Sequence, residues 1–148
     1  MTTLLAALHY LALALGFAAL IVRGIRFRES LSNGETRKIL FADNIWGIAA
    51  ALWIVTGLLR VFGGFEKDSA FYLYSHWFWL KMTLFGLVFL LEIWPMATLI
   101  GWRIKHKTSV AADEYGQIRK FLAINWLQVL LLVLIIFSAA AVTRDGFA

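Results

Sequence analysis

The sequence contains no cysteine and only one proline among its 148 residues. The absence of cysteine excludes disulfide bonds, thiolate metal sites, iron–sulfur clusters and thiol catalysis. Charged residues are also scarce, at 16% of the sequence, whereas soluble domains have about 25%. No motif resembles a nucleophilic triad, a phosphate-binding glycine loop, or a cluster of histidines and carboxylates for a metal. The sequence therefore gives these enzyme classes no support.

Hydrophobic residues are abundant, at 61% of the sequence, and aromatic residues make up 16%. This composition excludes an ordinary soluble globular domain and is typical of an integral membrane protein in contact with the lipid bilayer. The net charge of +5 comes largely from basic residues in short loops between apolar runs. Membrane topology accounts for such residues, so we expect no nucleic-acid partner.

Four apolar segments are long enough to cross a bilayer, which takes about 20 residues of α-helix. They cover approximately residues 3–22, 39–62, 76–100 and 121–142. Segments of this length are too long to be the strands of a membrane barrel. The sequence thus predicts an all-α fold, with one four-helix transmembrane domain over residues 1–148.

The basic residues indicate which side each loop occupies, because lysine and arginine accumulate on the cytoplasmic side. The first and third loops are strongly basic, whereas the second loop, 63–75, has Lys67 against Glu66 and Asp68. We expect an antiparallel up-and-down bundle in the bacterial cytoplasmic (inner) membrane, a multi-pass protein with both termini outside, in the periplasm. The basic residues are Arg23, Arg26, Arg28, Arg37 and Lys38 in the first loop, and Arg103, Lys105, Lys107, Arg119 and Lys120 in the third.

Two ionisable residues interrupt the third apolar segment, Lys81 near its outer end and Glu92 toward its inner end. An ionisable side chain inside hydrocarbon is costly unless it finds a partner, water or a ligand. The two residues share one helix face but lie roughly 16 Å apart along the helix axis, too far for a direct ion pair. We therefore expect them in separate layers of the bundle.

The predicted outer layer contains His9 and Lys81, which both lie roughly 9 Å from the outer ends of their helices. The helix face that carries His9 also carries Ala12, Gly16 and Ala19 and is nearly free of bulk. Such a face allows either the close approach of a neighbouring helix or the binding of a flat macrocycle, with the histidine as its axial ligand. Lys81 has the alternative of extending its ammonium group to the membrane surface.

Two further residues are expected at the outer mouth of this layer. His76 lies at the start of the third segment and Arg60 near the outer end of the second. His76 is the other histidine near the outer layer and a candidate ligand, although a histidine at the membrane interface is commonly only solvated.

The predicted inner layer collects the polar residues of helices two, three and four. Glu92, the glutamate of this layer, needs either a proton or a cation such as Arg23 or Arg26. Such a layer serves either to fix the bundle by interhelical hydrogen bonds or to conduct protons. Its members are Asp43, Glu92, Asn125 and Gln128.

Several stretches carry a family resemblance over nearly the whole chain. They are Leu8-His9-Tyr10, Asp43 to Arg60 with the following Val61-Phe62, Phe71-Tyr72-Leu73 with Phe78-Trp79-Leu80-Lys81-Met82, and Ala139 to Gly146. On these stretches the chain resembles a family of predicted bacterial membrane proteins that is classed as a domain of unknown function. The resemblance implies the fold class and no activity.

A second, more distant resemblance is carried by His9, Lys81 and Trp77. In these positions the chain is similar to the haem-dependent protoporphyrinogen oxidase of bacteria. The resemblance places His9 and Lys81 at the functional histidine and lysine of that family. The hypothesis that follows has haem b as the cofactor, His9 as the ligand of the iron and Lys81 as a cation for a propionate or a substrate carboxylate. That family often has a histidine where this chain has Trp79, so His76 is the candidate second ligand here.

The hypothesis preferred from the sequence is a redox-active membrane protein, for electron transfer or porphyrinogen-type oxidation. In it, the outer layer of His9, Gly16, Arg60, His76 and Lys81 holds haem, and Lys81 is the candidate catalytic residue. One alternative is a non-catalytic accessory or assembly subunit of a larger membrane complex. Another is a carrier of small solutes or metal ions. A bundle of this size is also expected to dimerise readily through its glycine-bearing faces.

Overall fold

The computed structural model describes residues 2–63 and 74–145, so Glu66, Lys67 and Asp68 of the second loop lie outside the described residues. The described parts are helical apart from short connections and one isolated bridge. The helices are α1 (Thr2–Asn33), α2 (Arg37–Phe62), α3 (His76–Ile104) and α4 (Tyr115–Asp145), with a short 3₁₀ helix, Ala112–Glu114, before α4.

Within the described residues, four helices are long and apolar enough to cross a membrane. The prediction of an all-helical, multi-pass membrane protein is therefore confirmed. The orientation of the bundle and the placement of its loops in the cytoplasm stay predictions.

Each helix extends beyond the apolar segment that marks its crossing. The first apolar segment ends near residue 22, whereas α1 continues to Asn33. This continuation carries Phe27 and Ser30, both fully buried, one turn apart on the inner face of the bundle. Gly34 then ends the helix with a φ of +70°, a left-handed conformation that glycine adopts without steric cost.

The helices pack closely in three pairs: α1 with α2, α1 with α4, and α3 with α4. Helices α2 and α3 meet through long side chains. The rings of Trp53 and Phe85 lie 5.5 Å apart, and Arg103 reaches across to Asp43. The α2–α3 contact thus depends on individual side chains rather than on close helix packing.

Two hydrophobic clusters fill the interior, and the polar positions of the helices lie between them. One cluster is built around Leu20, Trp46 and Leu132, and the other around Phe27 and Phe121. Polar residues occupy the intervening turn of each helix, so a polar layer separates the two apolar parts of the core.

The two basic loops pair with each other at one end of the bundle, here called the basic end. The Val110 N–H donates to Gly34 O at 2.8 Å, and the Thr36 N–H donates to Thr108 O at 3.2 Å. The fully buried Thr36 also donates its hydroxyl to Lys107 O at 2.6 Å. This pairing joins the α1–α2 turn to the connection between α3 and α4 and closes the basic end.

Candidate functional site

Arg23 lies at the centre of the polar layer and is fully buried. Its guanidinium makes two parallel hydrogen bonds to the Glu92 carboxylate, with Nη1 to Oε1 at 2.6 Å and Nη2 to Oε2 at 2.8 Å. Nη1 also donates to Asp43 Oδ1 at 2.7 Å. The parallel pair of bonds is the strongest geometry that an arginine and a carboxylate can form. One arginine of α1 is thus held by carboxylates of α2 and α3.

Two amides of α4 complete the set of acceptors. Arg23 Nε donates to Asn125 Oδ1 at 2.8 Å, and Nη2 donates to Gln128 Oε1 at 3.0 Å. Because a guanidinium has five N–H donors, each donor of Arg23 now has an acceptor. The amide groups are fixed in turn, since Asn125 Nδ2 donates to Leu20 O at 2.8 Å and Gln128 Nε2 donates to Glu92 Oε2 at 2.7 Å.

A second arginine joins from the basic end. Arg103 Nη2 donates to Asp43 Oδ2, so that Asp43 bridges two arginines. The Arg103 side chain is 31% exposed, whereas that of Asp43 is only 7% exposed. Together, Arg23, Asp43, Glu92, Arg103, Asn125 and Gln128 are called here the Arg23 cluster.

The charges of the Arg23 cluster balance, because two arginines face two carboxylates. Burial of an ion pair is costly and is repaid only with good geometry and further hydrogen bonds, and removal of one partner leaves an uncompensated charge. All four helices contribute to the cluster: α1 with Arg23, α2 with Asp43, α3 with Glu92 and α4 with Asn125. The arrangement therefore couples the four helices in one defined geometry.

The structure brings together the four residues expected in the inner layer. Of the two cations considered for Glu92, Arg23 makes the contact, whereas Arg26 pairs with Glu29 at 2.7 Å. Sequence reasoning missed Arg103 as a member, because it was counted among the loop cations. A signal was present: Arg103 follows Glu92 by eleven residues, almost three helical turns, and therefore shares its face.

His9 lies between α1 and α2, in the other half of the bundle. Its Nε2 accepts a hydrogen bond from the Trp53 indole N–H at 3.0 Å. Because an indole only donates, Nε2 carries no proton, and the neutral ring therefore donates from Nδ1 to Thr56 Oγ1 at 2.9 Å. The absence of a side chain at Gly57 makes room for the ring, since a Cβ there would lie 3.2 Å from His9 Cε1.

The two cations expected in the outer layer each lie beside an aromatic ring. Lys81 Nζ lies 5.3 Å from the centre of the Phe78 ring on its own helix, and the Arg60 guanidinium lies 5.4 Å from the centre of the Tyr10 ring. His76 is exposed at the start of α3. His9 thus contacts α2, whereas Lys81 contacts a ring of its own helix, α3.

The small-residue face of α1 is occupied by α2. A Cβ at Gly16 would lie 3.1 Å from the Trp46 ring and 3.6 Å from the Ala49 side chain. Both nitrogens of His9 are also engaged, so an iron would have to displace Trp53 or Thr56. The arrangement of these residues therefore does not fit a haem group between α1 and α2. Within residues 2–63 and 74–145, no group of three or more histidines and carboxylates has the geometry of a metal site.

Comparison with known proteins places the chain in a family. The family described as "Predicted membrane protein (DUF2214)" matches residues 1–147. Searches of curated proteins and of solved structures give no match. The expected likeness to the haem-dependent oxidase finds no support in these comparisons. The chain therefore belongs to the DUF2214 family of predicted membrane proteins.

Proposed function

We propose that this chain is a non-catalytic accessory or assembly subunit of a larger membrane complex in the bacterial cytoplasmic membrane. The observation that carries the proposal is the Arg23 cluster, in which the buried polar side chains are committed to one another across four helices. Interhelical hydrogen bonds of this kind fix the packing of a transmembrane bundle. The polar side chains in the interior thus serve to hold the four helices together.

His9 supports the same proposal from the other half of the bundle. Its ring joins α1 to α2 through Thr56 and Trp53, in the way that the Arg23 cluster joins all four helices. Both sets of polar residues hold helices in register. A bundle fixed in this way offers its outer surface, rather than its interior, to other molecules.

The proposal is tested by isolating the affinity-tagged chain from native membranes in a mild detergent. We expect a partner protein to co-purify in fixed stoichiometry. The Arg23→Met variant, which disturbs the bundle, should lose this partner, whereas Lys120→Met, at an exposed position, should retain it. The proposal is contradicted if the folded chain is recovered without a partner after solubilisation and also after cross-linking in intact membranes.

The haem hypothesis stays a prediction with its own test. It requires the His9 ring to leave Trp53 and Thr56 and to bind the iron. It predicts a Soret band in the oxidised protein and an α band after dithionite reduction, following expression with ample haem, and loss of both bands in His9→Ala. A purified protein without these bands, or with bands that persist in His9→Ala, contradicts haem binding by His9.

A further inference from the structure

An asparagine of α2 faces outward from the bundle. Asn44 is exposed, whereas its neighbour Asp43 is buried and bonded to Arg23. Successive residues of an α-helix differ by about 100° in direction, so Asn44 is turned away from the interior. Among the described residues, the Asn44 amide has no hydrogen-bond partner.

The surroundings of Asn44 are apolar and face the lipid. Phe41 and Ile48, one turn to either side, are 67% and 64% exposed. Asn44 lies seven residues into α2 from Arg37, which is about 10 Å along the axis. An amide in such surroundings is costly without a hydrogen-bond partner, and amides in transmembrane helices commonly bond across to another helix.

Asn44 belongs to a row of exposed residues that runs along α2. The spacing in this row alternates between four and three residues, as in the contact positions of a coiled coil. Gly47 lies beside the row, and a Cβ placed there would meet no atom within 4 Å, so a second backbone has room to approach. The row consists of Asn44, Ile48, Ala51, Val55 and Leu58.

We propose that this row on α2 is the contact surface between two copies of the chain. Copies inserted in the same orientation are related by a two-fold axis along the membrane normal, which sets their α2 helices parallel. Each residue of the row then meets its own equivalent. An amide both donates and accepts, so two Asn44 side chains satisfy each other, which a lipid tail cannot do. A single asparagine in a heptad row is also a known device for fixing register and oligomeric state.

Single cysteines test this surface directly, because the chain has none of its own. Ala51→Cys places a thiol in the row, eleven residues from Phe62 at the end of α2. Gly86→Cys is the matched control, ten residues from His76 at the start of α3, at a position that is also open. After mild oxidation in native membranes, we expect a covalent dimer of twice the 16.8 kDa chain from Ala51→Cys and little from Gly86→Cys.

The role of the amide is tested in the Ala51→Cys background. Asn44→Leu should weaken self-association by roughly tenfold, equivalent to about 1.4 kcal/mol. Asn44→Gln, which keeps an amide, should retain most of the dimer. Because the position lies on the surface, these variants leave the core unchanged.

Three results overturn the inference. The first is an equal yield of dimer from Ala51→Cys and Gly86→Cys, and the second is an unchanged yield of dimer in Asn44→Leu. The third is a cross-linked Ala51→Cys product whose mass differs from that of a dimer and shows that a different protein contacts the row. The inference does not rest on the accessory role, because self-association is measured without reference to a larger complex.

Discussion

Replacement of Arg23 by methionine is expected to lower the free energy of unfolding by about 3 to 5 kcal/mol, the usual cost of removing one partner from a buried ion pair. Glu92 would lose both of its bonds to a cation and keep only the amide of Gln128. Asp43 would keep Arg103 alone. Unfolding in detergent, followed by the fluorescence of the seven tryptophans, measures the change.

Two control variants show whether the lost stability comes from the unbalanced charge in the Arg23 cluster or from the loss of any arginine side chain. Arg26→Met removes an arginine whose pair with Glu29 is partly exposed, and should cost less than about 1 kcal/mol. In the double variant Arg23→Met with Glu92→Met, the remaining Arg103 and Asp43 balance each other, so much of the lost stability should return. Equal effects of Arg23→Met and Arg26→Met would show that the Arg23 cluster does not stabilise the bundle.

Replacement of Gly24 by alanine is expected to cost about 1 to 3 kcal/mol, in the range of an overpacked core. A Cβ at this position would lie 2.7 Å from Asn125 Nδ2 and 3.3 Å from the Trp126 ring. The Asn125 amide cannot simply move away, since it holds Leu20 O and Arg23 Nε at the same time. The added methyl group should therefore disturb the Arg23 cluster without changing its charge.

Gly116→Ala provides the matched control for this substitution. Gly116 lies near the start of α4, and a Cβ placed there would meet no atom within 4 Å. Because alanine favours the helix over glycine by up to about 1 kcal/mol, the control should be neutral or slightly stabilising. Thermal unfolding of both variants in the same detergent makes the comparison. A Gly24→Ala protein as stable as Gly116→Ala would contradict the close approach of α1 to Asn125.

The membrane spans and the members of the inner layer could be predicted from the sequence, because the length of an apolar segment and the presence of a polar residue within it are both local properties of the sequence. Asp43 and Glu92 interrupt apolar segments, and such interruptions require a partner. The central role of Arg23 was harder to predict. An arginine at the end of an apolar segment has the same pattern whether it turns into the bundle or out to the loop, and its direction is fixed only by contacts with other helices.

The surroundings of His9 show a second limit of sequence reasoning. Its partners, Trp53 and Thr56, lie on a helix that is apolar nearly all round, so periodicity does not indicate which face of α2 meets α1. The small residues around Gly16 allowed either a helix or a macrocycle as neighbour. The structure places Trp46 against them, and this choice depends on tertiary packing rather than on the local sequence.

The sharing of Asp43 between two arginines has a consequence for biosynthesis. As the chain is made, α1 enters the membrane with Arg23 before α3 exists, and α2 follows at once with Asp43, so the first hairpin brings one cation and one anion of the cluster. Helix α3 then brings Glu92 and Arg103, again one of each sign. Each half of the chain therefore contributes no net charge to the cluster, and the two halves can be inserted in succession before Arg23 pairs with Glu92 and Arg103 pairs with Asp43 in the finished bundle.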